Sequence, residues 1–169
     1  MPPSYRSSSY EAPFGAIRVL TDPCAGAVVG TVLPHNRPAD PEPRSEEISW
    51  ENDPLHARVH DQLTGYFDGT RHDFDLPLAP QGTAFQRTVW ETLRGIPFGE
   101  TRTYGDVARE VDRPGGARAV GGACGANRIP LLIPCHRVLS AGGLGGWTGD
   151  PAVKVSLLEH ERSAQRGPR

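Results

Sequence analysis

The chain has 169 residues, a formal net charge of -2 at neutral pH, 37% hydrophobic residues and three cysteines. That length suits one compact domain with a good core, or two small ones. Scattered cysteines at 24, 124 and 135, with no Cys-x-x-Cys pair, exclude a disulfide framework and a cysteine zinc site. No apolar run is long enough to span a membrane and no signal-peptide core is visible, so a reducing, cytoplasmic setting is expected.

Residues 1–13 show no clear period and read as loose. Phe14 to Leu20 and Ala27 to Leu33 read as strands joined by a turn at Asp22-Pro23, with Cys24 a small filler in that turn. Residues 34–52 are rich in proline and acid and read as a surface loop. Asp53 and Pro54 are an N-cap and a first helical residue, and Leu55, Val59, Leu63, Tyr66 and Phe67 keep helical spacing up to Asp68-Gly69. Phe74 to Leu78 reads as a short strand. His35, His56, His60 and His72 share no metal-like spacing and read as solvated surface histidines. Ala79-Pro-Gln-Gly82 divides the chain into residues 1–81, a small α/β unit, and residues 82–169.

The second part is denser in signals. Thr83 and Gln86 form a capping box that opens a helix with Phe85, Val89 and Leu93 on one face. Gly95 to Gly99 breaks it, and Thr103-Tyr-Gly-Asp106 opens a second short helix. After a turn at 112–116, a third helix runs from Ala117 to about Gly125 with almost no side-chain bulk. Glycine in a helix costs about 1 kcal/mol relative to alanine, so this helix is built for close approach of another surface. Two short helices across a glycine turn are the pattern of a helix-turn-helix. Arg118 is the one long side chain on the second helix, suited to entering a narrow groove. Tight packing inside the core accounts for the same small residues, with Arg118 in a surface ion pair.

Ile129 to Ile133 reads as a short buried strand ending at Pro134, which delivers Cys135 and then His136 to its rim. A glycine-rich loop, Ser140 to Gly149, carries Trp147 and lacks a phosphate-loop spacing. Asp150-Pro151 caps a last helix reaching about Glu161, and Arg162 to Arg169 read as a disordered tail. Charge is polarised. Residues 1–82 hold twelve acidic and six basic side chains, and residues 83–169 hold eight acidic and twelve basic. Seventeen of the eighteen basic residues are arginine, which sets Lys154 apart; an ammonium at that place is not interchangeable with a guanidinium.

The segments Thr83-x-Phe-Gln-x-x-Val-Trp90, Ile96-Pro-x-Gly-Glu-Thr-Arg-x-Tyr-Gly105, Ala117-Arg-Ala-Val-Gly-Gly122, Asn127, Ile133-Pro-Cys-His-Arg-Val138 and Leu157-Leu-x-His-Glu161 closely resemble the O6-alkylguanine-DNA alkyltransferases. The resemblance covers residues 82–161. It implies an α/β N-terminal domain followed by a mostly helical DNA-binding domain with a helix-turn-helix and a short active-site strand. It implies irreversible transfer of an alkyl group from O6-alkylguanine in double-stranded DNA, and from O4-alkylthymine as an open question, by a monomer using neither metal nor cofactor. On this resemblance Cys135 is the alkyl acceptor, His136 a base acting through water and Glu161 the carboxylate that orients it. Tyr104 donates to the flipped base, Arg118 fills the vacated stack, Asn127 braces the turn and Lys154 lies close to the cysteine. Trp147 and Thr148 belong to the substrate loop, which is one residue shorter than usual, and Ala117 and Gly121 belong to the DNA-facing helix.

The chemistry is consistent with those roles. A thiolate is the competent nucleophile, and an ordinary cysteine is mostly thiol at pH 7. Neighbours on an extended strand point to opposite faces, so a water is expected between Cys135 and His136 unless the chain turns sharply. A third group must fix the imidazole, and a phenol would stabilise charge developing on the leaving guanine. The product thioether offers no carbonyl for hydrolysis, which predicts one event per molecule. Two other readings stand beside this one. A thiol hydrolase leaves the small-residue helix without a purpose, and a lesion sensor that does no chemistry would have no need of Cys135.

Overall fold

The structure is a computed structural model describing residues 5–36 and 43–167. Four strands form one mixed sheet: β1 (Tyr5–Ala12), β2 (Gly15–Asp22), β3 (Ala27–Val32) and β4 (Ser45–Glu47), in the order β3-β2-β1-β4. β1 and β2 form an antiparallel hairpin, turned at Gly15 with φ 123°, and β4 joins β1 in parallel. Residues 5–12 are therefore a full strand rather than loose chain. The hydrophobic pattern hides it because its buried positions are Ser7 and Ser8. The segment read as loop over 34–52 also holds β4 and a 3-10 turn at Trp50–Asn52, while residues 37–42 lie outside the described residues.

Helix α1 (Pro54–Phe67) lies against the sheet, with the Asp53 carboxylate accepting from the backbone N–H groups of Leu55 and His56. His56 is fully buried and His60 nearly so, which corrects the surface reading of both. Their neighbours explain it. Ser8 Oγ lies 2.6 Å from His56 Nδ1 and 3.2 Å from His60 Nε2, and Thr21 Oγ1 lies 2.9 Å from His56 Nε2. Polar positions on β1 and β2 thus match polar positions on α1, so both imidazoles are buried with hydrogen-bond partners. His35 and His72 are exposed, as expected. Residues 74–78 are not a strand. They make a single bridge, Val28 with Leu78, through Val28 N–H to Pro77 O and Ala79 N–H to Val28 O.

Four further helices follow: α2 (Ala84–Arg94), α3 (Tyr104–Glu110), α4 (Ala117–Gly125) and α5 (Pro151–Gln165). α2 opens with the reciprocal Thr83–Gln86 capping box, and α3 with one formed by Thr103 and Asp106. A two-residue strand β5 (Arg102–Thr103) pairs in parallel with β6 (Val138–Leu139). α5 runs through Gln165, past the expected end at Glu161. Ala164 packs on the core and Gln165 donates to Phe98 O at 2.5 Å, so residues 162–165 of the predicted tail are helix, while 168–169 lie outside the described residues. One hydrophobic core extends from Ile17, Val28 and Tyr66 through Trp90 and Val120 to Ile133, Cys135 and Leu157. Trp90 anchors α2 to α4 by donating from its indole N–H to Ala123 O at 2.8 Å.

Candidate active site

Residues 129–134 are buried but are not a strand. Leu131 adopts φ 76°, and Ile133 N–H returns to Ile129 O at 2.9 Å, closing a tight loop. A β-branched run that contains two prolines cannot supply a continuous ladder of donors, so it coils within the core instead. Cys135–Arg137 then form a 3-10 turn. The sharp turn after Cys135 that would bring Cys135 and His136 off opposite faces is present. β3 holds this loop from behind: Thr31 donates from its backbone to Arg128 O at 2.9 Å and from its hydroxyl to Pro130 O at 2.6 Å.

Cys135 is buried, 5% exposed, at the floor of a cleft of about 520 Å³. Asn127 holds it. The Asn127 amide donates to Cys135 Sγ at 3.2 Å and to Ile133 O at 3.0 Å, and its carbonyl accepts from Ile129 N–H at 2.9 Å. Burial pushes the Cys135 thiol up to about 11, against the opposing pull of Asn127 and Lys154. The resting group is therefore a thiol, and deprotonation must accompany the reaction.

Behind the thiol, His136 and Glu161 are both fully buried. His136 Nε2 lies 2.7 Å from Glu161 Oε1. Burial lowers the His136 pKa, so the ring is neutral near pH 7 and Nε2 carries the proton it gives to the carboxylate. Nδ1 is then the free base site, and it is buried without a hydrogen-bond partner. Glu161 is gripped from several sides. Arg137 donates to both carboxylate oxygens at 3.0–3.2 Å, Tyr66 OH donates to Oε1 at 2.8 Å and Gly99 N–H donates to Oε2 at 2.9 Å. Hydrogen bonds and charge from His136 and Arg137 hold the carboxyl far below the usual carboxylate range despite its burial.

The cleft is walled by α4, the start of α3 and the glycine-rich loop, through Tyr104, Ala117, Arg118, Gly121, Cys124, Ser140, Gly146, Trp147 and Thr148. Tyr104 donates to Gly146 O at 2.9 Å, and burial raises its pKa to about 12, so it remains a donor. Lys154 is fully buried and spans the loop, donating to Val138 O at 2.7 Å and Leu144 O at 2.8 Å with its ammonium 5.4 Å from the Trp147 ring centre. Arg118 is exposed on the rim.

The structure thus gathers Cys135, Tyr104, Arg118, Ala117, Gly121, Trp147 and Thr148 at one cleft, with Asn127, His136, Glu161 and Lys154 packed behind its wall. Sequence reasoning missed Tyr66, Arg137 and Thr31 as parts of this assembly. Tyr66 had a faint signal, a phenol in a stripe that phenylalanine or leucine would fill. Cys124 is a second buried thiol facing the cleft, pushed up to about 12 by burial. No group of three or more metal-binding side chains occurs among the described residues.

Fold and site together define a protein with a buried cysteine at the floor of a cleft, backed by a histidine–carboxylate pair. A family model described as "6-O-methylguanine DNA methyltransferase, DNA binding domain" matches residues 84–163. The methylated-DNA–protein-cysteine methyltransferase of Mycobacterium tuberculosis is 43% identical over 136 residues, 79% of this chain and 82% of that protein. Its namesake from Methanosarcina acetivorans is 45% identical over 117 residues, 68% of this chain and 75% of that one. A crystal structure of Mycobacterium tuberculosis OGT in complex with DNA superposes with a TM-score of 0.80 at 34% identity, covering 94% of each chain. The chain belongs to the methylated-DNA–protein-cysteine methyltransferase family.

Proposed function

We propose that this protein repairs DNA by moving an alkyl group from O6-alkylguanine to Cys135, once per molecule. The observation that carries the mechanism is the pairing of a neutral, buried thiol with an imidazole whose Nδ1 is unpartnered while its Nε2 is held by Glu161. Cys135 Sγ attacks the alkyl carbon and the carbon–O6 bond breaks, leaving its electron pair on the guanine. The thiol proton passes through a water to His136 Nδ1, and Glu161 stabilises the imidazolium that forms. Tyr104 exchanges Gly146 O for the flipped base and donates to the ring as charge develops there. Asn127 holds the sulfur, and Lys154 fixes the loop carrying Trp147 and Thr148 around the base.

Double-stranded DNA is the partner in this reading. The reported complex of a relative with DNA supports it, as do the bare surface of α4 around Gly121 and Gly122 and the basic excess after residue 82. α3 and α4 act as a helix-turn-helix whose second helix lies along the minor groove, with Ala117 and Gly121 admitting the backbone and Arg118 occupying the vacated stack. We assign residues 1–81 to an N-terminal unit and 82–169 to the alkyl-transfer unit, with the protein acting as a cytoplasmic monomer. No helix among the described residues is long and apolar enough to cross a membrane.

Intact-mass spectrometry after mixing with excess duplex carrying one O6-methylguanine tests the proposal. A gain of one methylene, mapped to Cys135, saturating at one per protein and absent from Cys135→Ala, is the expected result. An unmodified protein, or lesion loss over many cycles, overturns it.

A further inference from the structure

We infer that Tyr66, from helix α1 and outside the matched family model, is a positioning residue that sets the basicity of His136 through their shared carboxylate oxygen. This inference rests on the reading of His136 as the base. The Tyr66 hydroxyl and His136 Nε2 both bond Glu161 Oε1, at 2.8 Å and 2.7 Å. All three side chains are fully buried, so no solvent screens the coupling. An oxygen already accepting from a phenol is a weaker acceptor for the imidazole N–H. The phenol thus withdraws part of the stabilisation that the carboxylate offers to an imidazolium.

The surroundings leave few other groups to do this. Arg137 acts in the same direction as Tyr66, donating to both Glu161 oxygens and also to Ile96 O at 2.6 Å. The Lys154 charge also disfavours the imidazolium. His160 packs on Tyr66, its Nε2 2.7 Å from the Tyr66 backbone O, and His72 stacks on Phe98. The Tyr66 ring is fixed against Phe67, Phe74, Phe98 and His160, which holds the hydroxyl on Oε1. Tyr66→Phe keeps that packing and removes only the donor.

The test pairs two readouts on the full chain, an NMR titration of His136 and the pH profile of the single-turnover methyl-transfer rate. Tyr66→Phe is expected to move both midpoints up by about half a pH unit, a roughly threefold change in the acid limb. Difluorotyrosine placed at position 66, a stronger donor, is expected to move both down, and it serves where the phenylalanine variant folds poorly. Midpoints that stay at the wild-type value in both variants overturn the inference and leave Tyr66 a packing residue. A His136 midpoint that moves while the rate profile does not overturns the base assignment, and with it any role for Tyr66 in the reaction.

Discussion

At the scale of single residues, Asn127 holds the thiol of Cys135. Its amide donates to Cys135 Sγ, and it also closes the loop through Ile129 and Ile133. Asn127→Ala is expected to raise the Cys135 pKa above about 11 and slow methyl transfer at least tenfold, measured by single-turnover assay. Leaving those buried partners unmet is expected to lower stability by about 1–3 kcal/mol, read from urea unfolding. Burial has a second consequence for the three thiols. Cys24 is exposed, whereas Cys124 and Cys135 are buried and protonated. Iodoacetamide at pH 7.5 is expected to label Cys24 first in the native protein, as peptide mass mapping would show. Labelling of Cys135 ahead of Cys24 would mean that the resting site holds a thiolate.

At the scale of elements, α1 brings an acid-sensitive seam to the sheet. His56 and His60 are buried neutral, and burial lowers the pKa of both, His60 to about 4. Their unfolded value is about 6.5. The unfolded chain therefore takes up protons first as pH falls, and stability is present above about 6.5 and lost progressively down to about 4. Denaturant midpoints at pH 7, 5.5 and 4.5 are expected to fall in that order, and to fall less in His60→Gln. The same element shows why part of the fold escaped sequence reading. Capping boxes and helical stripes announced α1, α2 and α3, because those signals are local. β1 did not announce itself, since its buried Ser8 faces histidines 48 and 52 positions away. The acceptor loop misled in the opposite sense. Its apolar residues are buried as expected, but its prolines and the left-handed Leu131 prevent strand pairing. The motif names Cys135, His136 and Glu161, and His136 and Glu161 meet at 2.7 Å beside Cys135, while Tyr66 and Thr31 reach this region through long-range packing that no spacing encodes.

At the scale of the whole molecule, one core joins the sheet to the acceptor loop, and β3 and α1 each reach the site through a hydrogen bond. Truncation to residues 82–169 is therefore expected to cost more than surface area. It removes the Thr31 and Tyr66 contacts, so a fragment that folds is expected to transfer methyl groups more slowly, with a shifted pH profile. Electrostatic binding to duplex DNA is expected to weaken as salt rises, with a log–log slope reporting the phosphates contacted. With Arg118 proposed to occupy the vacated stack, Arg118→Ala is expected to reduce that slope little while slowing lesion transfer.

The hydrogen bond that holds Cys135 has a consequence for the protein after it has acted. Methylation turns the sulfur into a thioether, a weaker acceptor for the buried Asn127 amide 3.2 Å away. A buried donor left poorly met destabilises by about 1–3 kcal/mol. Spent copies are thus expected to melt several degrees below fresh ones. A mixed population would then show two transitions whose ratio counts the lesions met, so the protein is also a dosimeter that keeps its record in its own thermal stability.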